Sequence, residues 1–148
     1  MQISKYKNTM SAVVMLIIVN IGFSSSATAD VVVIVNVAND VSSIDASKIK
    51  KIFLLKKKKF STGKKIVPVE QTSGSSVRDI FNDKVLRKSS NQLRAYWAKI
   101  IFSGKGSPPK SVADDAAVKA FVSTTDSAIG YIDSANVDDS VKVIFTIK

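Results

Sequence analysis

The 148-residue chain has no cysteine and no histidine, and Glu70 is its one glutamate. These absences exclude a disulfide, a zinc site built from Cys or His, a catalytic thiol and an imidazole general base. The remaining acids are aspartates that read as loop or helix-cap residues, which does not suggest the paired carboxylates of a glycosidase cleft. We therefore expect a non-catalytic protein with no metal site and no cofactor. Positive charge is plentiful, with 22 Lys+Arg against 12 Asp+Glu and a formal net charge of +10.

The first 29 residues read as an address. Lys5 and Lys7 form a positive head, Met10 to Phe23 is an apolar run, and Ala27 and Ala29 stand in an A-x-A arrangement before Asp30. This is the three-part pattern of a secretory signal peptide, cleaved after Ala29. The rival reading is a membrane anchor, but the run falls short of the roughly 20 residues that span a bilayer. Removing residues 1–29 leaves one domain, 30–148, with a net charge of +8. An exported protein without cysteine points to a periplasmic or secreted location where disulfides are optional.

The remainder alternates strands and helices, the pattern of a sheet with helices packed on it. Val31 to Val37 is a continuous β-branched run, as for a strand covered on both faces. Asp45 offers an N-cap, and Ile49, Ile52 and Phe53 then share a helical stripe. Ile66 to Glu70 reads as a short strand, which Pro68 confines to a sheet edge or a strand end. Val77, Ile80, Phe81 and Val85 share the face of a second helix. Ser89 or Ser90 caps a third, with Leu93, Tyr96, Trp97, Ile100 and Ile101 at helical spacing. SGKGSPPK reads as an exposed loop. A fourth helix starts at Asp114 and runs to about Thr124, with Ala117, Ala120 and Phe121 facing inward. Ala128–Ile132 and Val141–Ile147 close the domain as strands.

One turn concentrates the chemistry. Thr72, Ser73, Gly74, Ser75 and Ser76 lie between a strand and a helix, with Arg78 in the first helical turn. A helix start exposes unpaired N–H groups and partial positive charge, hydroxyls add donors, and Arg adds a charged fork, all suited to an oxyanion. A purely structural reading stays open beside it: Ser75 or Ser76 caps the helix, and Thr72 to Gly74 make the turn.

Four stretches in order, VVVIVNVANDVSSIDASKIKKIFL, IVPVEQTSGSSVRDIF, LRAYWAKIIFSGKGSPP and SAIGYID, resemble segments of the substrate-binding proteins of phosphate ABC transporters. The second is similar to that family's anion loop, P-V-x-R-x-x-G-S-G-T-R-x-x-F. Gly74 and Ser75 match its G-S and Arg78 its final Arg. Ser76 stands at its second Gly, Val77 at its Thr, and Gln71 where relatives often place an Arg. The resemblance implies an α/β fold, one lobe of a periplasmic-binding-protein-like architecture with a small mixed sheet flanked by about four helices. It also implies recognition of phosphate or a similar oxyanion at Thr72, Ser73, Gly74, Ser75, Ser76 and Arg78, in association with the membrane subunits of an ABC transporter. The lobe that would supply a carboxylate and further hydroxyls has no counterpart in this sequence.

The second charged feature is a run of lysines: Lys48, Lys50, Lys51, Lys56, Lys57, Lys58, Lys59, Lys64 and Lys65. It reads either as a solvated face or as a patch for an anionic surface or protein partner, in an accessory module that has lost the small ligand. Nucleic acid is not expected, because Arg and exposed aromatics are scarce there. Ser-x-x-Lys recurs four times without companion motifs, Gly63–Lys64 and Gly104–Lys105 lack the earlier glycine of a P-loop, and the Asp pairs at 114–115 and 138–139 lack calcium-loop spacing.

Overall fold

Five strands and four α-helices follow Asp30 in a computed structural model, which describes residues 30–148; the expected signal peptide lies outside the described residues. In chain order they are β1 (Val31–Asn36), α1 (Ala46–Phe53), β2 (Val67–Gln71), α2 (Ser76–Phe81), α3 (Ser90–Phe102), β3 (Lys110–Val112), α4 (Asp115–Ser123), β4 (Ala128–Asp133) and β5 (Val141–Ile147). The sheet runs β3-β2-β4-β1-β5, with β2 parallel to β3 and β4, and β1 antiparallel to β4 and β5. This is the expected mixed sheet with four helices. Among the described residues no helix is long and apolar enough to cross a membrane.

All six residues of β1 are buried because the strand serves two cores. Val31, Val33 and Val35 join Ile49, Phe53, Phe81 and Leu93 on one face, while Val32 and Ile34 meet Val118 and Val122 on the other. That is the two-residue alternation of a strand, with apolar partners waiting on each side. α1 begins where the Lys48 N–H donates to Asp45 Oδ1 at 2.8 Å, and it buries Ile49, Ile52 and Phe53. Each such side chain contributes about 1.5–3 kcal/mol. α3 starts with a full capping box between Ser89 and Gln92.

Pro68 lies near the start of β2, the strand-end position expected for it: there β2 pairs only with β4, and β3 joins from Val69 onward, so one flank is open beside the residue that lacks an N–H. Three other expectations change. α4 turns Val118 and Val122 inward, leaving Ala120 exposed and Ala117 and Phe121 half-buried. The reason is Gly130 on β4: a Cβ there would stand 2.6 Å from Val118 Cγ1 and 2.9 Å from Val69 Cγ1, so the helix closes onto that bare backbone. Ile101 fits the helical spacing of α3, yet is 53% exposed; of that helix Leu93 and Trp97 are the buried residues. The loop after α3 is not exposed throughout: Pro109 is buried and Lys110 already begins β3. The second helix also continues past α2 as a π-helical turn, Asn82–Leu86, which ends at Arg87 in the left-handed conformation (φ 53°).

A candidate oxyanion site at the turn between β2 and α2

β2 and β3 run parallel and end together, and the Thr72 N–H extends the ladder by donating to Val112 O at 2.9 Å. The chain then reverses at Gly74, whose φ of +94° is open to glycine and strained for other residues. Ser75 is the N-cap of α2: its Oγ accepts from the Arg78 N–H at 3.3 Å and donates to Gln71 Oε1 at 2.6 Å. Gln71 is buried and holds the turn from below. Its Nε2 donates to Asp115 Oδ1 and to Tyr131 O, and its N–H donates to Tyr131 Oη at 3.3 Å. Asp115 also accepts from the Asp133 N–H and from Asn136 Nδ2, at 3.0 and 2.7 Å, which ties α4 and the end of β4 to the turn.

Arg78 lies beneath the turn. Its guanidinium donates to Gln71 O at 2.8 Å and to Ser73 Oγ at 3.4 Å, and it pairs with Glu70 Oε1 at 3.1 Å. Both members of that ion pair are largely buried, with side chains 16% and 11% exposed. Burial pushes the Glu70 carboxyl above its ordinary range, and the Arg78 charge partly opposes this. Burial also raises the Tyr131 hydroxyl, with the charge of Glu70 adding to the effect. Tyr131 stacks on Phe81 at 4.0 Å, so the floor of the turn is apolar as well as hydrogen-bonded.

The structure thus gathers every residue proposed from sequence. Thr72, Ser73, Gly74 and Ser76 are exposed at the surface of the turn, Ser75 is half-buried at the cap, and Arg78 sits underneath. Among the described residues, the N–H groups of Ser73, Gly74, Ser76 and Val77 take no protein acceptor. Sequence reasoning did not find Glu70, Asp115 or Tyr131 as parts of the site, and Gln71, which stands where relatives often place an Arg, is the central support of the turn. A lone glutamate eight positions before the loop arginine was the available signal for the ion pair. The contribution of Asp115 comes only from topology.

The lysine-rich segment between α1 and β2 is built differently. Phe60 and Ile66 are buried and pin it to the core, and the Phe60 and Ile66 N–H groups donate to Lys64 O and Lys58 O. Its charges face outward. Lys64 pairs with Asp40 at the surface, while Lys56, Lys57, Lys58, Lys59 and Lys65 have no acidic partner among the described residues; on the neighbouring α1, Lys48 pairs with Asp45, and Lys50 and Lys51 have no acidic partner among the described residues. No group of three potential metal ligands occurs among the described residues.

No family model matches the chain, and no curated protein matches it. Solved structures do. A phosphate ABC transporter substrate-binding protein from Clostridium perfringens, with phosphate bound, is similar over 78% of this chain and 44% of its own, at 25% identity and a TM-score of 0.63. An ABC-type phosphate transport receptor from Vibrio cholerae is similar over 78% and 45%, at 22% identity and 0.63. PstS from Borrelia burgdorferi is similar over 78% and 46%, at 15% identity and 0.60. The described residues therefore have the α/β fold of one lobe of such binding proteins, and the chain spans less than half the length of those structures.

Proposed function

We propose that the protein is an exported, non-catalytic solute-binding protein that recognises phosphate or a similar oxyanion at Thr72–Ser76 and Arg78, in association with ABC-type transport. The observation that carries this reading is the turn itself, where four N–H groups without protein acceptors surround Gly74 above a fixed guanidinium. The phosphate bound in the Clostridium perfringens relative supports the choice of ligand. Backbone N–H groups and the Ser73 and Ser76 hydroxyls would hold the anion. Arg78 would neutralise its charge, although Glu70 takes part of that charge before any ligand arrives. Affinity therefore depends on the state of Glu70. Export rests on the leader, residues 1–29, and the binding function on the domain at 30–148.

Calorimetric titration with phosphate, and with sulfate as comparison, tests the proposal. Saturable binding that prefers phosphate and persists at moderate salt supports it. Heats that salt removes equally for both anions would sink it.

A second reading is favoured by the lysine segment. Five lysines without an acidic partner among the described residues, on a segment pinned by Phe60 and Ile66 and flanked by Lys50 and Lys51 of α1, form a fixed positive fringe, suited to an anionic surface or an acidic protein partner. Sedimentation with phosphatidylglycerol vesicles, lost in the quadruple Lys56–Lys59→Gln variant and absent with neutral vesicles, is the expected result of this reading.

A further inference from the structure

A cavity of about 560 Å³ opens beside the turn, with Ser73, Gly74 and Arg78 at one end. The space far exceeds what a tetrahedral ion fills, and much of its lining is apolar: Leu93, Trp97, Ala98 and Ile101 of α3, together with Pro108. Inorganic phosphate has no surface to match such a lining. Ile101 remains 53% exposed there, an apolar side chain left to water at the mouth of the cavity.

The polar lining carries a second, independent sign. Asn82 is 5% exposed, lines the cavity, and its Oδ1 has no hydrogen-bond partner. A buried acceptor left unmet costs about 1–3 kcal/mol, so it calls for a partner. Asn82 also opens the π-helical turn, a distortion that recurs at functional sites. Arg94 adds a cation to the rim, and Glu70 and Asp79 add acids, so the cavity is not a general anion trap.

We propose that the ligand is an organic phosphate: a phosphomonoester whose phosphate rests on the Ser73–Val77 turn and whose apolar body, bearing a hydroxyl or amino donor for Asn82, lies along Trp97 and Ile101. This rests on the oxyanion reading of the turn and names the substrate class that the turn and cavity accept together.

Trp97 is the one tryptophan of the chain, so its fluorescence reports directly on the apolar lining. The purified protein is titrated with inorganic phosphate, phenyl phosphate, 4-aminophenyl phosphate and phenol, by calorimetry and by Trp97 emission. Phenyl phosphate should bind about tenfold more tightly than inorganic phosphate, the gain expected from burying part of one ring. It should change Trp97 emission, which inorganic phosphate leaves unchanged, and the amino compound should bind tighter still. Ile101→Asp, at an exposed position, should remove the advantage of the ring and keep phosphate binding. Equal affinity for phosphate and phenyl phosphate would overturn the inference and leave the turn as an oxyanion site. Phenol binding as well as phenyl phosphate would overturn it too, by separating the cavity from the turn. Absence of binding by all four would overturn both.

Discussion

The turn between β2 and α2 and the lysine segment before β2 treat charge in opposite ways. At the turn, Glu70 and Arg78 face each other in the interior, and Gln71, Ser75, Asp115 and Tyr131 interlock around them. In the lysine segment the charges point to water and the apolar Phe60 and Ile66 hold the backbone. The first region links charge to the fold, so changing one residue disturbs its neighbours. The second separates them, so charge can be removed without loss of structure. A binding site benefits from the first arrangement because its donors are held in place before a ligand arrives.

The difference can be broken most severely at Arg78. Arg78→Ala leaves Glu70 buried without its cation, and the expected loss is about 3–5 kcal/mol in a denaturant melt. Adding Glu70→Leu should restore much of it. Within the lysine segment, only the apolar anchors should approach this: Phe60→Ala is expected to cost about 3 kcal/mol. Gln71→Leu comes next, at about 1–3 kcal/mol, because Ser75 and Asp115 lose a partner together.

Acid–base behaviour sharpens the same contrast. The carboxyl of Glu70 is raised in the fold, so the folded state holds its proton more tightly than the unfolded chain does. Its contribution to stability is complete below the ordinary glutamate range and is lost as pH rises through the raised value. Glu70→Gln should remove that decline in a pH series of melts. Asp138, at the surface against Lys119, is held well below the ordinary range by side-chain hydrogen bonds from Lys119 and Ser140. Its contribution is present above the ordinary aspartate range and is lost as pH falls. If the turn binds an oxyanion as proposed, sulfate affinity should increase as pH falls through the Glu70 range, and Glu70→Gln should be tight and flat across it. The smallest effect is expected from Lys56–Lys59→Gln, within about 0.5 kcal/mol of the parent.

What the sequence disclosed follows the range over which each signal acts. β1, α1 and the cap of α3 depend on neighbours within a few positions, and Val31–Asn36, Asp45 and Ser89 carry those signals in plain view. The turn between β2 and α2 was legible for the same reason, as a strand, a Gly and a run of hydroxyls. Its supports were not. Asp115 reaches Gln71 across 44 positions and Tyr131 across 60, contacts fixed by the sheet order alone. The inward face of α4 was misread by one helical position because Gly130, which selects it, lies on another element. β3 escaped notice because three residues, Lys-Ser-Val, after two prolines give no alternation to read.

The most direct test of the account is amide NMR during a phosphate titration. If the turn is the site, saturable shifts appear at Ser73, Gly74, Ser76 and Val77, and the amides from Lys48 to Lys65 stay still. Shifts confined to the lysine segment and removed by salt, with the turn unmoved, would contradict it.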